Sequence, residues 1–488
     1  MKYCKILKSR FIAYVGMMLF VAGTVCACQP FRPVERPSVE TDLPPAYSHD
    51  AAGHPVEKWW ETFNDPQLNI LVETALKNNF SIQESWARLE QAGALAVKAG
   101  AATYPSLSAD ADASLGRQRT DNGRIADTKK VEKYNLGLLS QYEVDLWGKI
   151  RSKRKAALLE ASATRFDLQT MAVTVAATVT DRWIRIISQR MQKKLLEEQL
   201  AANQTLADLV ELRFRKSLAS ALDVLQQRQI VQRVRARIPL VVQKEALLQN
   251  ELALLLGKAP QAAPAISRET LEIPADVPAT GIPARLLTAR PDIQAAAKRL
   301  TAARWQVSVA RADLLPSIRL SARAVYQAGK LNLLFDNWLL NLAAGLTAPL
   351  LDGHRRQAEI TRSRAVVDEK LAAYRRTVVT AIKEVEDALV SEAGLRDHIK
   401  GLEAQLAVTK AALREARTRY RKGLNDYLPV LSGLLSVQTL ERDLIQRQTD
   451  LLVTRVNLYR ALGGGWGEGL VKRGENKGAG RSRIRGVE

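Results

Sequence analysis

Side chains able to carry a reaction are scarce in this chain. Its four histidines are His49, His54, His354 and His398, and its three cysteines are Cys4, Cys26 and Cys28. His49 and His54 lie in a proline-containing N-terminal stretch, while His354 opens a helical pattern and His398 rides on it. No G-x-S-x-G, H-E-x-x-H or P-loop pattern occurs, so neither a nucleophile elbow nor a zinc helix nor a phosphate cradle is expected. Gly463-Gly464-Gly465 follows a helical stretch and reads as a helix stop. The expectation is no enzyme, no cofactor and no metal. What the chain has in quantity is positive charge: Lys+Arg 72 against Asp+Glu 51, a formal net charge of +21 over 488 residues. That balance suits nucleic acid or a negatively charged membrane surface.

The cysteines decide between those partners. Lys2, Lys5, Lys8 and Arg10 precede an apolar run from Phe11 to Ala22. A basic segment followed by about a dozen apolar residues is a secretory signal peptide, too short for a spanning helix of about 20 residues. Val25-Cys26-Ala27-Cys28 then resembles the lipobox of a bacterial lipoprotein. That resemblance implies a signal peptide over 1–27, cleavage before Cys28 and lipidation of Cys28. Cys4 and Cys26 leave with the signal, so no disulfide forms. Export excludes nucleic acid as the partner of the remaining charge.

Any work the chain does must therefore come from its elements. Residues 28–58 hold six prolines and read as an extended tether. Residues 467–488 are Gly-rich and basic and are expected to be disordered. Between them the chain repeats itself. Ser81-Ile82-Gln83 recurs as Asp292-Ile293-Gln294, and Tyr104-Pro105-Ser106-Leu107 as Leu315-Pro316-Ser317-Ile318, both offset by 211. Arg213-Phe214-Arg215-Lys216-Ser217-Leu218 recurs as Arg419-Tyr420-Arg421-Lys422-Gly423-Leu424, offset by 206. The expected organisation is a first repeat over 59–257, a linker over 258–282 and a second repeat over 283–466.

Each repeat reads helix, two strands, long helix, shorter helix. Period-2 alternation marks strands at 106–115, 134–146, 317–327 and 338–348. Polar loops are expected at 116–133 and 328–337. Strands of about ten residues with one apolar and one polar face match tilted transmembrane strands. Asp110, Asp112, Glu143, Asp145, Arg319 and Arg323 fall on the polar face, which would line a lumen. The two arginines either bias that lumen toward anions or pair with the four carboxylates, and pairing is the preferred expectation. Four strands cannot close a barrel, because the smallest need about eight, so an oligomer is required.

The helices are long. Residues 148–217 and 353–423 contain no proline, and 70 residues would span about 105 Å. The shorter segments 70–104 with 218–256, and 283–315 with 424–462, would match them end to end. Pro239, Pro291 and Pro429 are expected to interrupt only these shorter segments. Heptad-like apolar spacing makes all of them coiled-coil candidates.

Trp59-Trp60-Glu61-Thr62-Phe63-Asn64-Asp65-Pro66, Ala289-Arg290-Pro291-Asp292-Ile293, Leu315-Pro316-Ser317-Ile318 and Pro349-Leu350-Leu351-Asp352-Gly353, together with the lipobox, resemble the TolC-like outer-membrane factor lipoproteins of tripartite efflux systems, NodT/OprM branch. The resemblance covers residues 28 to about 466. It implies a mainly α fold with a membrane β-barrel portion, in which a homotrimer forms a 12-stranded barrel in the outer membrane and an α-helical barrel in the periplasm. It also implies a passive exit duct, a periplasmic adaptor and an inner-membrane pump as partners, and contact with outer-membrane lipid. A type I protein-secretion duct and a non-pore envelope-spanning structural lipoprotein are the alternatives.

By the same resemblance, the reversals at 213–225 and 419–431 form a closed periplasmic tip. Tyr420 matches the family's gate tyrosine, Asp223 its acidic position, and Phe214 joins them as a gate residue. The second repeat departs from the pattern, with Pro429 and Ser432 where acidic residues often stand. Arg215, Lys216, Arg421 and Lys422 crowd the same turns, as solvated helix ends or as a docking site for an acidic adaptor hairpin.

Overall fold

The computed structural model describes residues 44–47, 58–121, 126–273, 280 and 283–464. The expected signal peptide, Cys28 and the basic tail lie outside these residues.

A 3-10 turn at Trp59–Phe63 precedes α1 (Pro66–Asn78) and α2 (Phe80–Ala101). Strands β1 (Ser106–Asp121) and β2 (Ala126–Val144) lead into α3 (Lys149–Arg215) and α4 (Ala221–Leu255). The second half repeats this order with α5 (Leu286–Ala289), α6 (Pro291–Ala312), β3 (Ser317–Ala328), β4 (Trp338–Thr347), α7 (Arg355–Arg421) and α8 (Leu428–Ala461). No described helix is long and apolar enough to cross a membrane.

Three expectations need correction. The loop expected at 116–133 is mostly strand, because β1 runs to Asp121 and β2 starts at Ala126. Its residues are polar on both faces, so the apolar alternation stops before the strands do. The helix expected over 70–104 breaks at Asn79, whereas the break of 283–315 at Arg290 falls where Pro291 was expected to interrupt it. Pro239 does not interrupt α4, which continues through it. Pro291 and Pro429 sit in first turns, where a missing N–H costs nothing, so they start helices.

The two breaks are one junction built twice. Asn79 Nδ2 donates to the Leu255 carbonyl at 2.9 Å, and Arg290 Nη1 donates to the Ala461 carbonyl at 2.9 Å. Gly257, at φ +69°, lies against the Asn78 carbonyl, and Gly463, at φ +93°, against the Ala289 carbonyl. Every member of the second junction sits at the repeat offset from its counterpart.

Contacts divide the chain into two compact units, and each draws on both repeats. Of the described residues, the first holds 89–121, 126–164 and 296–374. It holds an antiparallel sheet in the order β1-β2-β3-β4. Where strands meet helices, Asp313 takes both Lys149 Nζ and Arg356 Nε, the latter at 3.1 Å, and Trp147 Nε1 donates to the Pro316 carbonyl at 2.7 Å. The Lys149 ammonium foremost, with Arg356, holds the Asp313 carboxyl below the usual carboxylate range.

Of the described residues, the second unit holds 44–47, 58–88, 165–273, 280, 283–295 and 375–464. Asp65 caps α1 by accepting from Leu68 N at 2.9 Å, which explains the Asp65-Pro66 ending of the tryptophan motif. Trp59 stacks on Tyr459 at 5.2 Å, and Phe63 meets Trp183 edge-on at 6.3 Å. Arg455 binds Glu392 through two nitrogens, with Nε to Oε2 at 2.9 Å, and both side chains are buried. Tyr47, from the proline-rich N-terminal stretch, is 5% exposed. Burial pushes its phenol up to about 12, with Glu386 adding to the shift.

Candidate functional site

Two places in the chain present residues for work outside its own core. The first is the sheet. Pairing is continuous from Asp110 to Gly137 to Val325 to Leu339, so the alternations of all four strands fall in phase. One face carries Leu107, Leu138, Leu320, Leu340 and Leu342, all exposed in the single chain; Leu342 is 74% exposed. The opposite face carries Asp110, Asp112, Glu143, Arg319 and Arg323. One-residue slippage would put charge among the leucines, so the apolar pattern fixes the register.

Both arginines of the polar face are paired. Arg319 lies 3.6 Å from Glu143, its direct cross-strand partner. Arg323 lies 3.7 Å from Asp110, which belongs to β1, two strands away. Gly137 stands between them, and a Cβ there would come within 3.1 Å of the Asp110 carboxylate. The missing side chain is what lets this pair reach across β2. Asp112 accepts from Asn135 Nδ2 at 3.0 Å. Asp145 does not belong with them. It lies one residue past β2, accepts from Ile150 N and Arg151 N at 2.9 Å each, and pairs with Arg151 Nε at 3.2 Å. Its carboxylate anchors the start of α3, satisfying amide groups that no helical carbonyl reaches.

The second place is the pair of helix reversals, α3 to α4 and α7 to α8. Both turn by the same bonds: Leu218 N donates to the Arg213 carbonyl at 2.8 Å, and Leu424 N to the Arg419 carbonyl at 2.9 Å. The left-handed position is Ser217 (φ 58°) in the first turn and Gly423 (φ 73°) in the second.

Tyr420 is 4% exposed and packs inside its own chain. The Arg213 guanidinium lies 4.5 Å over its ring, and the Tyr427 ring is 5.5 Å away. Tyr427 in turn donates its hydroxyl to Gln227 Oε1, and Gln227 Nε2 donates to the Asn203 carbonyl at 2.8 Å. One cluster thus ties α3, α4, α7 and the start of α8. Burial pushes the Tyr427 phenol up, with Tyr420 adding to the shift, and burial does the same to Tyr420 against the Arg213 charge. Arg213, Tyr427 and Gln227 were not singled out in the sequence. The signal for Tyr427 was present, since at the repeat offset the first half has only Ala221.

Asp223 closes a capping box: its N donates to Ser220 Oγ at 3.1 Å, and Ser220 N donates to Asp223 Oδ2 at 2.9 Å. It reaches the Tyr420 cluster through its charge, which adds to burial in shifting Tyr420 and Tyr427 upward. Phe214 is 45% exposed and stands outside that cluster. Arg215 pairs with Glu211 at 3.1 Å. Lys216, Arg421 and Lys422 are exposed and have no ion pair among the described residues. Beside them Leu212, Leu218, Leu222, Leu225, Leu424 and Leu428 are exposed, an apolar component that charge counting missed.

A family of outer membrane efflux proteins matches residues 71–258 and 282–464. The pyoverdine export outer membrane protein OpmQ of Pseudomonas putida is 33% identical over 417 residues, covering 84% of this chain and 89% of that protein. Outer membrane protein OprJ of Pseudomonas aeruginosa is 30% identical over 469 residues, covering 93% of this chain and 97% of its own. The outer membrane channel MtrE of Neisseria gonorrhoeae superposes with a TM-score of 0.79 at 25% identity, covering 90% and 98% of the two chains. An apolar-faced sheet with two open edges and a duplicated helical hairpin is the fold of an outer-membrane efflux channel, as the sequence resemblance implied. The chain belongs to the outer membrane efflux protein family. It is an outer-membrane component of an efflux system, and its family is not one of enzymes.

Proposed function

We propose that three copies of this chain assemble a passive exit duct for small molecules. The open sheet carries this reading. β1 and β4 are both edges, and on the apolar face Leu342 is 74% and Trp338 71% exposed. In lipid, unpaired edge amides cost several kcal/mol each, so the strands must close into a ring. Three sheets of four give twelve strands, with β4 of one copy pairing β1 of the next. The apolar face then meets lipid, and Asp110, Glu143, Arg319 and Arg323 line water.

Partners fit the same assembly. The exposed cations and leucines at the two reversals suit a periplasmic adaptor hairpin, which links the duct to an inner-membrane pump. Cys28 supplies the lipid anchor. Small-molecule cargo is supported by relatives named for pyoverdine export and toluene efflux. Tyr420 keeps the resting tip together by binding α3 and α8 within each chain, and Asp223 contributes by capping α4.

Single-channel conductance in planar bilayers tests this. A purified trimer should show small, flickering conductance that rises on Tyr420→Ala with Asp223→Ala. Verified trimers with no conductance from either form would overturn the duct and leave the envelope-spanning structural lipoprotein. For docking, charge reversal at Lys216, Arg421 and Lys422 should weaken adaptor cross-linking, and unchanged cross-linking would remove those residues from the interface. An intact mass for the mature protein lacking the diacylglyceryl and acyl increment on Cys28 would exclude the anchor.

A further inference from the structure

The lipid-side face of the sheet does not end where its apolar band ends. On β1 the apolar run stops at Leu115, and the same face continues as Arg117 and Arg119. On β2 it passes Tyr134 and continues as Glu132 and Lys130. Tyr134, Tyr326 and Trp338 mark the level of the membrane interface, where aromatic side chains of barrels collect. Ala113 pairs with Tyr134, so Arg117 stands four residues beyond that level, about 13 Å along a strand. This end of the sheet is opposite the one that feeds the helices, and so faces the cell exterior.

The arrangement is costly as it stands. Arg117 and Lys130 are direct cross-strand partners, and like charges placed opposite each other destabilise an antiparallel pair. Glu132 answers only part of this, at 2.5 Å from Lys130 Nζ. Arg117 and Arg119 are exposed and have no ion pair among the described residues. Among the residues whose side chains are described, three cations stand against one carboxylate on the outward face, just above the aromatic level, where lipid phosphates lie.

We propose that Arg117, Arg119 and Lys130 bind the phosphate groups of an outer-leaflet glycolipid, lipopolysaccharide, and so pin the barrel to its lipid annulus. Arg117 and Arg119 offer planar forks suited to phosphate oxygens, and Lys130 adds a third charge opposite Arg117. The acyl chains of the same lipid lie along Leu115 and the leucines of β2. This rests on the closed barrel proposed above, because only closure decides which face meets lipid.

Purified trimer in detergent, titrated with diphosphoryl lipid A and read by native mass spectrometry, tests the assignment. Each removed charge should weaken binding roughly five-fold, and Arg117→Gln/Arg119→Gln/Lys130→Gln on the order of a hundred-fold. Lys129→Gln/Lys133→Gln, on the opposite face of the same hairpin, should bind as wild type. Unchanged binding by the triple variant, equal loss in the control, or displacement by inorganic phosphate at equal concentration would each overturn the proposal. Trimer mass and conductance of the same preparations separate the two readings. Trimers that conduct but bind lipid A regardless of the three charges defeat this inference alone, whereas failure to form conducting trimers defeats the barrel.

Discussion

At the scale of single residues, the buried polar groups separate support from function. Glu392 and Arg455 are both almost fully enclosed, and Glu392 also takes Arg396 Nε at 3.2 Å. Removing one charge from such a pair leaves the other without its compensation. Glu392→Gln should lower unfolding stability by about 3–5 kcal/mol, read from denaturant midpoints. The enclosed phenols predict an alkaline limit. Tyr427, pushed up by burial, and Tyr47, pushed up to about 12, stay neutral in the fold after free tyrosines ionise. A raised folded value means their contribution is intact below about pH 10, the unfolded value, and is lost as pH rises through the folded values. Absorbance titration at 295 nm should show these two ionising last, together with loss of helical signal. A simultaneous titration of all tyrosines with the helices intact would contradict their burial.

At the scale of elements, the reversals and junctions set the strain. Ser217 holds a left-handed conformation that Gly423 holds in the other turn. Ser217→Gly should stabilise the protein by up to about 1 kcal/mol, seen as a small rise in Tm. Gly257→Ala should do the reverse. A Cβ there would stand 2.5 Å from the Asn78 carbonyl, at φ +69°, so a loss of about 1–3 kcal/mol is expected. A wild-type Tm for Gly257→Ala would mean that the junction yields. These elements also show what the sequence could reveal. Strand faces, long helices and the repeat were legible because alternation, proline spacing and self-similarity are local patterns. The break at Asn79 was not, because it depends on the Leu255 carbonyl 176 residues away, whereas Pro291 marked the break at Arg290 without revealing its tie to Ala461. Asp145 was misplaced for a related reason, since alternation continues past the last paired residue of β2. Of the cluster at the second reversal, Tyr420 was singled out by resemblance, while its contacts with Arg213 and Tyr427, and Tyr427's with Gln227, join segments far apart in the chain and so left no local pattern.

At the scale of the duct proposed above, charges on the polar strand face should set ion preference. Arg319 and Arg323 are each matched by a carboxylate, so these two should add little to it. Asp110→Asn would leave Arg323 unmatched three times around the ring. The reversal potential in a salt gradient should then move toward anion preference, and Asp110→Asn/Arg323→Gln should bring it back. No movement in the single variant would mean that Arg323 does not face the conducting path.

The two reversals of one chain share their turning bonds but not their chemistry. The first is capped by Ser220 and Asp223, whereas the second begins α8 at a proline with no side-chain cap. In the trimer proposed above there are therefore six turns of two kinds. A partner hairpin meeting this ring cannot find six equivalent seats, even if every copy of the partner is identical. Its binding isotherm should resolve into two classes of equal number.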